Sequence, residues 1–347
     1  MSTQPKFQRT KRRTWSLFGE MRRVPSEYEI VTHKLHAHFR RDPAPFEIDP
    51  NAPINQWYLK YREGSPLQVE DWEDFRDNNQ LTYRSYIEQQ NKRETYIDGL
   101  IDEFERKDGD ADLSADWVKI LERLYIPSRY STHVLQMIAQ YIGQMAPCAH
   151  ISNVAHFQGG DECRRLQRSA YRAKALSLVH SPDLAASEKT RHIWENDPAW
   201  QPMRELLEKL LVAYDWGEAF VGLNLVAKPL YDELMLNQLG KLAQLNGDDL
   251  LTYMNSNFAL DSQRSRDWTQ ALVKYAVERR SENRQVIQGW VEKWQPLAFH
   301  AVAALAEVFS TAPHPINPGF VTASIFASYQ EFLSQCDLVS ALSQSCK

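Results

Sequence analysis

Two stretches of this chain, Asp161-Glu162-Cys163-Arg164-Arg165 and Asp261-Ser262-Gln263-Arg264-Ser265, share an Asp-x-x-Arg frame. Residues three apart on a helix lie on one face, so a Glu followed three positions later by a His can grip one metal ion. Two such pairs, with two further Glu from neighbouring helices, build a carboxylate-bridged di-iron site. The string that supplies this chemistry is Asp-Glu-x-Arg-His. The first stretch keeps Glu162 but has Arg165 at the histidine position, and the second has Ser262 and Ser265 at both ligand positions. A guanidinium has no lone pair for a metal, and no Glu-x-x-His occurs anywhere in the chain. The frames therefore predict the helices of a metal site with the ligands removed: Glu162, Arg165, Ser262 and Ser265 are degenerate positions, and no metal, catalytic or cofactor-binding residue is expected here.

Other constellations are weaker. Cys148, His150, His156 and Cys163 lack the spacing of a zinc knuckle and span a helix start and more than three turns, so structural cysteines and ordinary helix histidines are the better reading. His33, His36 and His38 sit in an N-terminal arm, where interface packing is favoured over metal binding. Glu218 has no base or metal partner nearby in sequence and reads as a packing or subunit contact. There is no phosphate loop, GxSxG or dinucleotide fingerprint.

The elements that carry the frames read as long helices. Tyr86, Ile97, Leu100, Ile101 and Phe104 follow a 3.6-residue period, ended by Asp108-Gly109-Asp110. Ser114 is a candidate N-cap for Trp117, Ile120, Leu121 and Leu124. A helix from about 128 stops before Pro147, and one from about 149 to 180 holds the first frame, with Gly159 and Gly160 inside it for close approach to a neighbour. Asp197-Pro198 starts a helix. Another runs from about 217 to 245, kinked or joined near Pro229, and the next, about 248–279, holds the second frame. Residues 283–310 give a further helix. Long helices with short connections are bundle topology, so the fold class is all-α.

Three regions are expected. Residues 67–312 form the helical domain. Residues 1–66 form an extended arm, because Pro43, Pro45, Pro50, Pro53 and Pro66 oppose helix. The arm's Trp15, Tyr28, Trp57, Tyr58 and Tyr61 need a surface outside it, which makes them candidates for contact with a partner subunit. Its basic first 24 residues place aromatics irregularly among the charges, which favours clasping a partner over binding nucleic acid. Residues 313–347, beyond Pro313, Pro315 and Pro318, form a tail with one amphipathic segment at about 321–343.

Composition agrees with a folded protein: 347 residues, 43% hydrophobic, 24% charged and a net charge of −5. Only 13 glycines favours helices, and ten Trp with fifteen Tyr lean toward a large assembly. Four cysteines without a CxxC pair suit a reducing cytoplasm. No apolar run approaches the roughly 18 residues that suggest a membrane span. No standard secretion signal, nucleic-acid partner or membrane partner is expected from this sequence.

Over residues 12–312 the chain resembles the β subunit of the hydroxylase in soluble bacterial multicomponent di-iron monooxygenases, of the toluene 4-monooxygenase and alkene–isoprene monooxygenase type. The resemblance rests on Arg13-Thr14-Trp15-Ser16, Pro25-Ser26-Glu27-Tyr28-Glu29-Ile30-Val31, Trp57-Tyr58, Ser65-Pro66-Leu67, Gln144-Met145-Ala146-Pro147 and Ile151-Ser152-Asn153. It continues through the block Trp194 to Pro229, with Asp215-Trp216-Gly217-Glu218-Ala219-Phe220, then Ala271-Leu272-Val273-Lys274 and Gly289-Trp290-Val291-Glu292-Lys293-Trp294. Residues 313–347 lie outside this resemblance, which carries no role for them. The resemblance implies a ferritin-like bundle without iron, in an (αβγ)2 hydroxylase whose α subunit holds the di-iron centre and the hydrocarbon pocket. It implies γ as a further subunit, and a reductase, a Rieske ferredoxin and an effector protein as partners. The reaction it implies is NADH-driven insertion of one oxygen atom of O2 into an aromatic ring or alkene. Applied to this chain, the α-subunit spacing places the other two ligand positions near Thr132 and Lys228, with no Glu within three residues of either. Glu162, left behind, is expected to be buried and paired with Arg165, Lys228 or Arg264. Two alternatives stand beside this reading. One is a stand-alone ferritin-like oxidoreductase with unusual metal ligands; the other is a helical interaction protein without an oxygenase partner.

Overall fold

A computed structural model describes residues 23–33 and 49–339, and they contain no β-strand. The helices are α1 Glu27–Thr32, α2 Pro53–Tyr58, α3 Tyr83–Arg106, α4 Ala115–Ile120, α5 Ser128–Met145 and α6 Ala149–Val179. They continue as α7 Ser187–Asn196, α8 Gln201–Leu211, α9 Trp216–Phe220, α10 Lys228–Asp232 and α11 Leu239–Leu245. The last three are α12 Asp249–Arg279, α13 Asn283–Ala306 and α14 Pro318–Gln335. Helices α9, α10 and α11 are one continuous rod, joined by π turns at Val221–Ala227 and Glu233–Gln238. Pro229 has no amide hydrogen to donate, and the wide π turn just before it absorbs that gap, so the rod continues through a residue that ordinarily breaks helices.

The cap read from sequence at Ser114 is in place: its hydroxyl accepts from the Trp117 amide at 3.2 Å. Asp215 caps α9, accepting from the Gly217 and Glu218 amides at 2.9 and 3.0 Å. Helices α6 and α12, each 31 residues long, carry the two frames. They pack against each other, with α5, the rod and α3 around them and α13 over the rod. The close approach expected at Gly159 and Gly160 is real. A Cβ at Gly159 would collide with the Gln140 side chain of α5, and one at Gly160 would stand 2.5 Å from the Tyr86 hydroxyl of α3.

Two expectations are corrected. The stretch 53–63 is helical, not extended: Pro53 opens α2, a position where its missing amide hydrogen and fixed φ favour a helix, and a π turn Leu59–Glu63 follows. Its aromatics find partners within this chain. The Trp57 indole donates to the Tyr141 hydroxyl at 3.0 Å, and Trp57, Tyr61 and Tyr214 rings cluster with centroids 4.6–5.5 Å apart. The Tyr58 ring lies against the Arg62 guanidinium and its hydroxyl accepts from Gln144. Tyr28, also read as a subunit contact, is buried and donates to Asp77 Oδ1 at 2.9 Å. Trp15, His36, His38 and the basic first 22 residues lie outside the described residues.

The second correction concerns the tail. Helix α14 starts at Pro318, again in the first turn, and Val321, Ile325, Tyr329, Phe332 and Leu333 enter the same hydrophobic core as α13 and the rod. It is a component of the core, not an appendage.

Charge fixes helix α1 and docks it: Arg76 Nη2, from outside the helix, stands 3.5 Å from Glu29 Oε1. Glu29 completes a capping box with Ser26, whose amide donates to Oε2 at 2.9 Å. The Arg23 guanidinium grips both oxygens at 2.6 and 2.7 Å. The hydrogen bonds from Arg23 hold the Glu29 pKa down at about 2 against its ordinary 4.5, with burial opposing and Ser26 and Arg76 assisting. A depressed acid pKa contributes stability that is whole above the unfolded value and fades as pH falls toward the folded one. Hydrogen exchange at residues 26–33 is therefore expected to accelerate as pH drops from about 4.5 to about 2, after correction for intrinsic rates. Glu29→Gln is expected to show the faster exchange at neutral pH and no acid-dependent increase in this window. Equal protection in both proteins at neutral pH would refute the docking role.

Candidate functional site

The degenerate positions converge at the bundle centre. The spacing of α6 turns Glu162 and Arg165 inward together, and Ser262 and Ser265 do the same on α12; all four are buried. Lys228 and Asp232 come from α10, one helical turn apart. The Lys228 ammonium donates to Asp232 Oδ2 at 2.7 Å and to Glu162 Oε1. Arg165 Nη1 donates to Asp232 Oδ1 at 2.8 Å and stands 4.0 Å from Glu162 Oε2. The Arg165 guanidinium also lies 5.1 Å from the Tyr231 ring centroid. The Tyr231 hydroxyl meets Ser131 at 2.5 Å and lies beside Thr132.

The cluster balances two carboxylates against two cations. Burial raises the Glu162 pKa, and Lys228 only partly opposes it. For Asp232, burial pushes upward, but the charges of Lys228 and Arg165 outweigh it and hold the carboxyl below its ordinary value. Burial would lower the Lys228 pKa; Asp232 and Glu162 reverse that and raise it. An ammonium, with three donors and no lone pair, thus stands where the spacing argument places a ligand. This donor set does not fit a di-iron centre. Of the positions counted from the sequence, only Glu162 offers a carboxylate, and it is engaged by Lys228.

The Asp and Arg of the two frames do a different job, one layer toward α3. Arg164 of α6 reaches Asp261 of α12 at 2.7 Å, and Arg264 of α12 reaches Asp161 of α6. Each frame thus supplies the counter-ion of the other. Gln90 of α3 donates to both aspartates, at 3.0 and 2.9 Å. The Tyr86 hydroxyl donates to Asp161 at 3.0 Å, and Arg93 pairs with Asp261. Burial lowers the Arg93 pKa to about 10, with the Arg264 charge adding to it. Arg264 was a candidate partner for Glu162; it serves Asp161, and Lys228 takes Glu162.

Sequence reasoning found Glu162, Arg165 and Lys228 but missed Asp232. The signal was present, since Lys228 and Asp232 are four apart on a helix that the pattern already identified. Gln90 and Tyr86 had no signal. The drawn zinc quartet is not assembled. His150 and Cys163 are separated by 13 residues of one helix, about 20 Å, Cys163 is exposed, and His156 bonds Gln140 at 2.5 Å. Glu218 accepts from Lys293 at 2.5 Å and from the Trp294 indole at 3.2 Å, a helix-packing role.

Residues 57–280 match the methane/phenol/alkene hydroxylase family, and the chain belongs to that family. Within it, the chain is 44% identical over 299 residues to the hydroxylase component subunit beta of the toluene-4-monooxygenase system of Ectopseudomonas mendocina, covering 86% of this chain and 91% of that one. It is 25% identical over 244 residues to the phenol 2-monooxygenase oxygenase component DmpL of Pseudomonas sp. strain CF600, covering 70% and 72%. A chain in the solved structure of toluene 4-monooxygenase hydroxylase with toluene in its resting active site superposes with a TM-score of 0.81 at 42% identity, covering 89% of this chain and 99% of that chain.

Proposed function

We propose that this chain is the non-catalytic β subunit of an (αβγ)2 hydroxylase in a soluble, cytoplasmic multicomponent monooxygenase. In this reading the di-iron centre and substrate pocket belong to the α subunit. A reductase and a Rieske ferredoxin deliver electrons from NADH, an effector protein gates the reaction, and the substrate is an aromatic hydrocarbon or an alkene. The observation that carries the reading is the Lys228 ammonium between Glu162 and Asp232. The charge that an iron pair supplies in a catalytic sister is supplied here by Lys228 and Arg165, so the bundle keeps its shape without redox chemistry. The similarity to a hydroxylase β subunit supports the assembly. So do exposed Tyr83 and Ile87 on α3 and Tyr253 and Leu260 on the neighbouring α12, apolar groups at helix-face spacing that suit a partner surface.

The test is elemental analysis joined to assembly. Co-expression with the α and γ chains is expected to give a complex whose iron stays with α when the subunits are separated. Roughly two irons per copy of the present chain would overturn the reading. A variant that weakens the Glu162 cluster, such as Glu162→Ala, is expected to lose activity only in proportion to lost complex. Turnover per assembled complex would then be unchanged. A fall in turnover with assembly intact would place Glu162 in the chemistry.

A further inference from the structure

Away from the bundle centre, three side chains from distant parts of the chain meet at the root of the N-terminal segment. His33 ends α1, where its amide closes the helix on the Glu29 carbonyl at 2.9 Å. Glu73 lies in the short 3-10 turn Trp72–Asp74. His150 is the second residue of α6 and is fully buried. His33 Nδ1 stands 3.6 Å from Glu73 Oε2. The two imidazole centroids are 5.9 Å apart. One ligand atom from each of the three residues lies within 4.8 Å of the other two.

We propose that His33, Glu73 and His150 form a binding site for one zinc-class divalent cation, which ties the N-terminal segment to the start of α6. Two imidazoles and a carboxylate suit zinc in type and number, with the fourth position left to solvent at the partly exposed His33–Glu73 edge. Bonds of about 2.0–2.1 Å in a tetrahedral site put ligand atoms roughly 3.4 Å apart. The His33–Glu73 separation of 3.6 Å is close to that, and the other two edges, each within 4.8 Å, need to close by at most about 1.4 Å. His150 is held by the fold, so the adjustment falls on His33, at the end of a short helix, and on Glu73, in a turn. Binding joins positions 33, 73 and 150 of the chain, and such a cross-link gains most where the loops it closes are long. The inference does not depend on the assignment of the chain as a hydroxylase subunit.

The test uses the full-length chain, stripped with a chelator and titrated with Zn2+ against a chromophoric competitor, with Co2+ as a spectroscopic probe of coordination. The wild-type chain is expected to take up about one Zn2+ and to melt at a higher temperature with zinc than without it. His33→Ala and Glu73→Gln, both at the accessible edge, are expected to keep the wild-type circular dichroism and to bind more than about 100-fold more weakly. Their melting temperature should not respond to zinc. His150→Ala is the less useful variant, because a buried hole can unfold the chain by itself. Absence of stoichiometric Zn2+ or Co2+ binding by the folded wild-type chain, or binding unchanged in both edge variants, would overturn the proposal.

Discussion

Lys228→Met is expected to destabilise the folded chain by about 3–5 kcal/mol, because it leaves Glu162 and Asp232 buried with only Arg165 to balance them. Methionine is close to lysine in length and leaves no large hole, so the loss measures charge rather than packing. Glu162→Gln added to Lys228→Met removes the surplus negative charge and leaves the Asp232–Arg165 pair at 2.8 Å. The double variant is therefore expected to recover a large part of the loss, with a coupling energy in the range of about 0.5–3 kcal/mol for interacting neighbours. Denaturant unfolding of the four proteins of this cycle measures it. A Lys228→Met chain as stable as wild type, or a double variant whose loss is the sum of two singles, would mean that the cluster does not act as a unit.

Removal of residues 313–347 is expected to abolish cooperative unfolding. Val321, Ile325, Tyr329, Phe332 and Leu333 are buried in the main core. Each such side chain contributes about 1.5–3 kcal/mol on burial, and a typical domain has a net stability of only about 5–15 kcal/mol. The truncated chain should expose the faces of α13 and the rod that α14 covers, bind a hydrophobic dye and lose its near-ultraviolet circular dichroism. Phe332→Ala, which keeps the helix, is expected to cost about 3–5 kcal/mol. A truncated chain that melts cooperatively near the wild-type temperature would show that α14 is dispensable.

Much of this fold was legible because its helices are long and strongly periodic. The frames at Asp161 and Asp261 gave two helices that pack together, and the spacing argument led to Lys228. What stayed hidden shares one cause: the deciding partner was remote in sequence. Trp57 was read as needing a surface outside the arm, and part of that surface lies in this chain: Tyr141, 84 residues away, accepts its indole hydrogen. Gln90 joins both aspartates from α3, and no local pattern marks a glutamine for that role. Proline misled twice in the same way. Pro53 and Pro318 were read as breakers, yet each opens a helix, where a residue without an amide hydrogen leaves nothing unsatisfied. The reciprocal Asp–Arg exchange also went unseen, since a motif shows that two frames exist and not that each completes the other.

The closed charge balance at the bundle centre also bears on how this chain can change over time. Ser262→Glu, one step toward a ligand set, would add a third carboxylate to a water-excluded pocket. Arg165→His would weaken one of its two permanent cations. Each step alone moves the cluster away from neutrality and is expected to be selected against before any metal could reward it. The charge balance thus behaves as a ratchet: with Lys228 held between Glu162 and Asp232, a change toward a metal-ligating centre requires several simultaneous substitutions.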